Sequence, residues 1–98
     1  METFQDIIES RDPVLVDFHA DWCGPCKAMN PVIKELATQL QGKTRVIKVD
    51  IDKAEAAAMK YNVSAVPTFI LFKKGLVVWR HSGMIDKNNL LKIIESNS

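Results

Sequence analysis

Two cysteines stand three residues apart in Trp22-Cys23-Gly24-Pro25-Cys26, and the 98-residue chain has no others. Three chemistries fit a close pair of this kind: an inert buried pair, half of a four-ligand metal site, or a dithiol that cycles through a disulfide. Two cysteines are too few for a secreted disulfide scaffold. Spacing of i and i+3 puts both sulfurs on one helical face, within reach of a disulfide. A metal would need two more ligands. His19 and His81 are the only histidines beside the carboxylates, and His19 sits on a strand, so no metal is expected.

The elements around the pair sharpen this choice. Val14 to His19 (VLVDFH) reads as a strand rich in β-formers. Gly24 to Gln41 reads as a long helix, with Met29, Val32, Ile33, Leu36, Ala37 and Leu40 on one face. Pro31 interrupts that helix and should kink it, and Gly42 should stop it. The pair therefore falls where the first strand hands over to the long helix, the end of a strand at which open α/β sheets place their sites. Cys23 just precedes the helix, and Cys26 lies in its first turn. The helix N-terminus favours negative charge, so Cys23 is expected to be the attacking thiolate. Cys26, further in and more buried, would resolve the mixed disulfide. Proline fits the first turn because its φ is preset and it has no amide hydrogen to leave unpaired.

The remaining chain supplies the frame. Glu2 to Ser10 reads as a short helix with Thr3 and Asp6 as a capping box, closed off by Asp12-Pro13. Thr44 to Asp50 is a second strand, and Lys53 to Tyr61 an alanine-rich helix. Thr68 to Lys73 and Leu76 to Ser82 are strands joined as a hairpin through Lys74-Gly75. Asp86 caps a last helix carrying Leu90, Leu91 and Ile94. The first two strands should be parallel with a right-handed crossover, and the last two antiparallel. The expectation is an α/β fold in three layers, one domain over residues 1–98, with a mixed sheet between helices.

Composition narrows the partners. Thirteen Lys and Arg balance twelve Asp and Glu, with no basic stripe or acidic tail, so nucleic acid is not expected. No apolar run approaches the length of a membrane span, and Met1 to Ser10 lacks the basic and apolar regions of a secretory signal. The expected location is cytoplasmic.

WCGPC, preceded by Val16-Asp17-Phe18 and followed by Lys27 and Pro31, is similar to the thioredoxin family. Lys48-Val49-Asp50-Ile51-Asp52 resembles the family's second core strand and its exit. Val63-Ser64-Ala65-Val66-Pro67-Thr68 resembles the segment that carries its cis-proline. Phe72-Lys73-Lys74-Gly75 and Gly83 fall at its hairpin and late glycine. The resemblance runs through nearly the whole chain from Val14 onward. It implies a redox disulfide Cys23–Cys26 and a protein-disulfide reductase that maintains cell redox homeostasis, with a thioredoxin reductase as electron donor and diverse disulfide-containing proteins as substrates. No cofactor is expected, since the chain lacks a glycine-rich dinucleotide fingerprint. Two alternatives stay open: a disulfide oxidase or isomerase, and a non-catalytic binding subunit on the same fold.

Several other residues acquire expected roles. Asp17 could be a plain surface carboxylate, but a sheet covered on both faces offers it no solvent side, so it should be buried with a raised pKa. The resemblance makes it the proton acceptor and donor for Cys26, through water. Lys48 could be an ordinary strand lysine; the resemblance puts its ammonium near the buried carboxylate, where pairing would ease burial of both charges. It also implies that Pro67 is cis, packs beside the cysteines, keeps metal away, and turns the backbone of Val66 toward an extended substrate. Trp22, Gly24 and Pro25 would frame a shallow apolar surface with Ile51, Ala65 and Val66, and with Gly83 and Met84. For Ile51 and Met84, core packing is the plainer reading. Trp79 reads as core or sheet surface, and His81 matches no motif.

The chain departs from the family pattern in two places. His19 stands where many thioredoxins have an aromatic residue, and an imidazole there would add a group titrating close to neutrality. Only Met1-Glu2 precede the first helix, too few for the family's usual first strand. Four strands in the order 2-1-3-4 are therefore expected, with Thr44 to Asp50 at an edge. Exposed edges invite pairing, but Arg45 and Lys48 should discourage it, so a monomer is expected with an edge-strand dimer as the alternative.

Overall fold

Two apolar sets alternate along β1 (Val14–His19), and burying both generates the three layers. Val14, Val16 and Phe18 point to one face of the sheet, where they pack with Ile8, Ile70 and Phe72. Leu15 points to the other, where it packs with Met29, Ile33, Leu36, Phe69, Leu71, Leu90 and Ile94. The first face is covered by α1 (Phe4–Ile8) and α3 (Glu55–Lys60), the second by α2 (Gly24–Gln39) and α4 (Lys87–Ser96). The computed structural model describes residues 1–97; residue 98, the last of the expected domain, lies outside them.

The sheet has four strands, with β2 (Arg45–Asp50), β3 (Thr68–Lys73) and β4 (Leu76–Ser82) joining β1 in the order β2-β1-β3-β4. β1 and β2 are parallel, as a helical crossover requires, and the other pairs are antiparallel. The β3–β4 turn is Lys74-Gly75, both at positive φ (53° and 83°). That is the backbone of a two-residue hairpin whose twist matches its strands, and glycine tolerates it best.

Local chemistry sets the helix ends. Thr3 and Asp6 form the expected capping box at α1. The Asp86 carboxylate caps α4 by accepting from the Asn89 N–H at 2.8 Å. Three helices differ at their ends from simple pattern reading. α1 spans Phe4–Ile8 rather than Glu2 to Ser10, α3 spans Glu55–Lys60 rather than Lys53 to Tyr61, and α2 ends at Gln39 rather than Gln41. At the last of these, Leu40 N–H turns in to the Leu36 and Thr38 carbonyls, and Gly42 follows at φ 84°. Pro31 lies inside α2 without ending it.

Candidate active site

Cys23 is the N-cap of α2, with extended backbone (φ −87°, ψ 109°). Its Sγ accepts a hydrogen bond from the Cys26 N–H at 3.1 Å and is joined to Cys26 Sγ in a disulfide, the two Cα atoms 5.3 Å apart. A first-turn amide thus already points at the sulfur expected to carry negative charge. The two residues are 4% and 3% exposed. In the oxidised state, then, they differ by position in the helix and not by burial. Ala20 packs against the pair, with Ile51 and Val66 beside it.

The other residues expected to frame the pair differ in their exposure and partners. Trp22 is 69% exposed, and its Nε1–H donates to Asp52 Oδ2 at 3.0 Å. That bond ties the indole to the loop after β2 that also carries Ile51. Gly24, Pro25 and Ala65 are exposed. The Val66–Pro67 peptide bond is cis. Pro67 is buried, and its carbonyl accepts the Gly83 N–H at 2.8 Å, so the two loops are fixed to each other. Gly83 has φ 99°, which disfavours any other residue there. Met84 is 56% exposed, and its carbonyl meets His81 Nε2 at 3.3 Å. His81 stacks parallel to Trp79, with ring centroids 6.0 Å apart. Sequence reading assigned His81 no role; the signal available was its i, i+2 spacing to Trp79 on a strand.

Behind the disulfide, Asp17 is 1% exposed, and among the described residues neither of its carboxylate oxygens has a hydrogen-bond partner. Strand alternation turns it with Leu15 toward the face that α2 covers. Burial pushes its carboxyl up to about 6, while the charges of His19 and then Lys48 pull it down. Lys48 sits directly across the register from Asp17. Its ammonium does not close on that carboxylate, as pairing would have it: Nζ donates to Asn30 Oδ1 on α2 at 2.6 Å. Lys48 is exposed and so acts on Asp17 at a distance. Asn30 and Asp52 are the site neighbours that sequence reading missed. Their partners lie 18 and 30 residues away in the chain, and nothing local marks such pairs. A cavity of about 300 Å³ lined by His19, Asp21, Cys26, Lys27, Asn30 and Lys48 opens beside Cys26.

A disulfide at the start of a helix, framed by a cis-proline loop and backed by a buried carboxylate, defines a thiol–disulfide oxidoreductase. The Thioredoxin family model matches residues 1–96. The chain is 48% identical over 96 residues to Thioredoxin from Chlamydia trachomatis serovar D, covering 98% of this chain and 92% of that protein. It is 42% identical over 97 residues to Thioredoxin C-2 from Corynebacterium nephridii, covering 98% and 90%. A mutant thioredoxin from Halobacterium salinarum NRC-1 superimposes with a TM-score of 0.85 at 42% identity, covering 94% of this chain and 80% of that one. The chain belongs to the thioredoxin family, and it is a dithiol–disulfide reductase. Thioredoxins generally act with a thioredoxin reductase and with disulfide-bearing proteins. No helix among the described residues is long and apolar enough to cross a membrane.

Proposed function

We propose that Cys23 is the nucleophile and Cys26 the resolving thiol in the reduction of protein disulfides. The observation that carries this assignment is the Cys26 N–H held on Cys23 Sγ at the α2 N-cap. In the reduced protein that amide and the helix dipole stabilise a Cys23 thiolate. The thiolate attacks one sulfur of the target, forming a Cys23–target disulfide and releasing the other sulfur as a thiolate that takes up a proton. Cys26 loses its proton to Asp17 through water and attacks Cys23 Sγ. The Cys23–Cys26 bond forms, the target's second sulfur leaves with the electron pair, and the protein is left oxidised. A carboxyl titrating near 6 can accept that proton at neutral pH and later give it up.

Lys48, held by Asn30, keeps the charge on Asp17 within reach of neutral pH. Trp22, Gly24, Pro25, Ile51, Ala65, Val66, Pro67, Gly83 and Met84 form the docking surface, with the Val66 backbone pairing to an extended target segment. The electron donor is a thioredoxin reductase, the targets are several disulfide-bearing proteins, and the location is the cytoplasm. The protein works as one domain and as a monomer, with Arg45 and Lys48 along exposed β2 discouraging edge pairing.

The test is a Cys26→Ser variant exposed to a disulfide-bearing protein such as insulin. It should accumulate a covalent adduct at Cys23, while the wild type turns over with a thioredoxin reductase as donor. Full biological activity retained by a Cys23→Ser, Cys26→Ser double variant, with no disulfide turnover of its own, would instead make the fold a binding subunit.

A further inference from the structure

His19 borders the site, yet the exchange steps above leave it without a task. It ends β1 two residues after Asp17, so both side chains leave the same face of the sheet. The parallel register sets Asp17 against Lys48 and His19 against Asp50, a two-by-two patch on the face that α2 covers. One ring nitrogen of His19 and one carboxylate oxygen each of Asp21 and Asp50 lie within 4.8 Å of one another. Asp50 Oδ1 also accepts the Asp52 N–H at 2.8 Å, which fixes that carboxylate.

Exposure is graded along this patch. Asp17 is buried, His19 is half-buried and Asp21 is exposed. His19 and Asp21 line the same cavity as Cys26. The charged groups facing His19 are therefore Asp17 from its own strand, Lys48 and Asp50 from β2, Asp21 from the turn, and Lys27 from the start of α2. When protonated, His19 exerts the largest charge effect on Asp17, ahead of Lys48.

A carboxyl that takes a proton from Cys26 in every cycle must also give it up. Asp17 has no protein hydrogen-bond partner among the described residues and almost no exposed surface through which to do so. An imidazole between it and solvent can take a proton on one ring nitrogen and release one from the other.

We propose that His19 passes the proton of Asp17 to solvent, acting through Asp17 as a positioning residue in the resolving half of the exchange. After Cys26 has attacked Cys23, the protonated Asp17 carboxyl gives its proton, through water, to the neutral His19 ring. The imidazolium, held beside the Asp21 and Asp50 carboxylates, releases a proton to water. Asp17 and His19 return to their starting states, and the proton that left Cys26 is in solvent. No electrons move in this step.

The proposal rests on Asp17 as the proton acceptor for Cys26, and the experiment separates the two. A preformed Cys23 mixed disulfide is resolved in single turnover between pH 5 and 9 by the wild type, His19→Gln, Asp17→Asn and the double variant. His19→Gln is expected to be about tenfold slower at neutral pH, less than the loss of a general base itself. It should have no further effect on the Asp17→Asn background. A His19→Ala variant should regain rate when free imidazole is added, whereas His19→Lys, which restores only charge, should stay slow.

If Asp17→Asn resolves as fast as the wild type, the Asp17 reading fails and this proposal with it. If Asp17→Asn is slow but His19→Gln is not, only this proposal fails. It fails equally if His19→Gln slows the Asp17→Asn background by the same factor, if imidazole gives no rescue, or if His19→Lys is as fast as the wild type.

Discussion

The two faces of β1 are built from the same six residues to different ends. On the α1/α3 side, Val14, Val16 and Phe18 are wholly buried and apolar, and Phe4, Tyr61 and Phe72 meet there in edge-on and tilted ring pairs. On the α2/α4 side, only Leu15 serves the core; Asp17 and His19 face the helix that carries the cysteines. One face maximises apolar burial, and the other gives some of it up to hold a carboxylate beside Cys26. A strand that alternates between core and chemistry keeps the two tasks one residue apart, so single substitutions should separate them.

The largest effect expected is at the cysteines. Cys23→Ser should abolish turnover of disulfide substrates in a coupled assay and leave the melting curve of the reduced protein nearly unchanged. Next comes the apolar face. Phe18→Ala should cost about 3–5 kcal/mol in urea unfolding, while the molecules that remain folded exchange disulfides at the normal rate.

On the opposite face the sign reverses. Asp17 titrates near 3.8 when unfolded and about 6 in the fold, so between those values the native state binds more protons than the unfolded chain. Stability therefore falls as pH rises through that window and stays lowered above it. Asp17→Asn removes the charge and keeps the shape. It should be the more stable protein at pH 8 by up to about 3 kcal/mol, with the gain shrinking as pH drops through 6 toward 4. Denaturant unfolding at a series of pH values measures this directly. A wild type as stable as Asp17→Asn at pH 8 would mean that the carboxylate is hydrated or paired and the face is not specialised as described. The smallest effect lies at the exposed start of α1. Thr3→Ala should cost about 1 kcal/mol through loss of the α1 cap and should not alter exchange.

Much of this arrangement is legible in the sequence where the information is local. The strands Thr68 to Lys73 and Leu76 to Ser82 follow from β-formers around Lys74-Gly75, and their ends agree with the structure. The Thr3–Asp6 capping box is a four-residue pattern and reads as one. Helix ends are less legible, because the end turns are decided by capping geometry: α3 begins at Glu55 after Ala54, an N-cap with no side-chain bond, so nothing in the composition marks its start. Asp17 is legible as a buried carboxylate because a doubly covered strand leaves it no other place. Its surroundings are not. That Lys48 would bind Asn30, or that Asp50 would stand beside His19, depends on the β1–β2 register and on how α2 lies over it. Those are set by the packing of both cores together.

The most direct measurement of the central claim is the relative reactivity of the two thiols in the reduced wild-type protein. Brief treatment with less than one equivalent of iodoacetamide at pH 7, followed by peptide mass mapping, reports which sulfur is the thiolate. The helix-capped geometry predicts that the label falls on Cys23, with Cys26 modified at least about tenfold less, in keeping with the thiolate as the reacting species. Equal labelling, or preference for Cys26, would contradict the unequal roles on which the whole account depends.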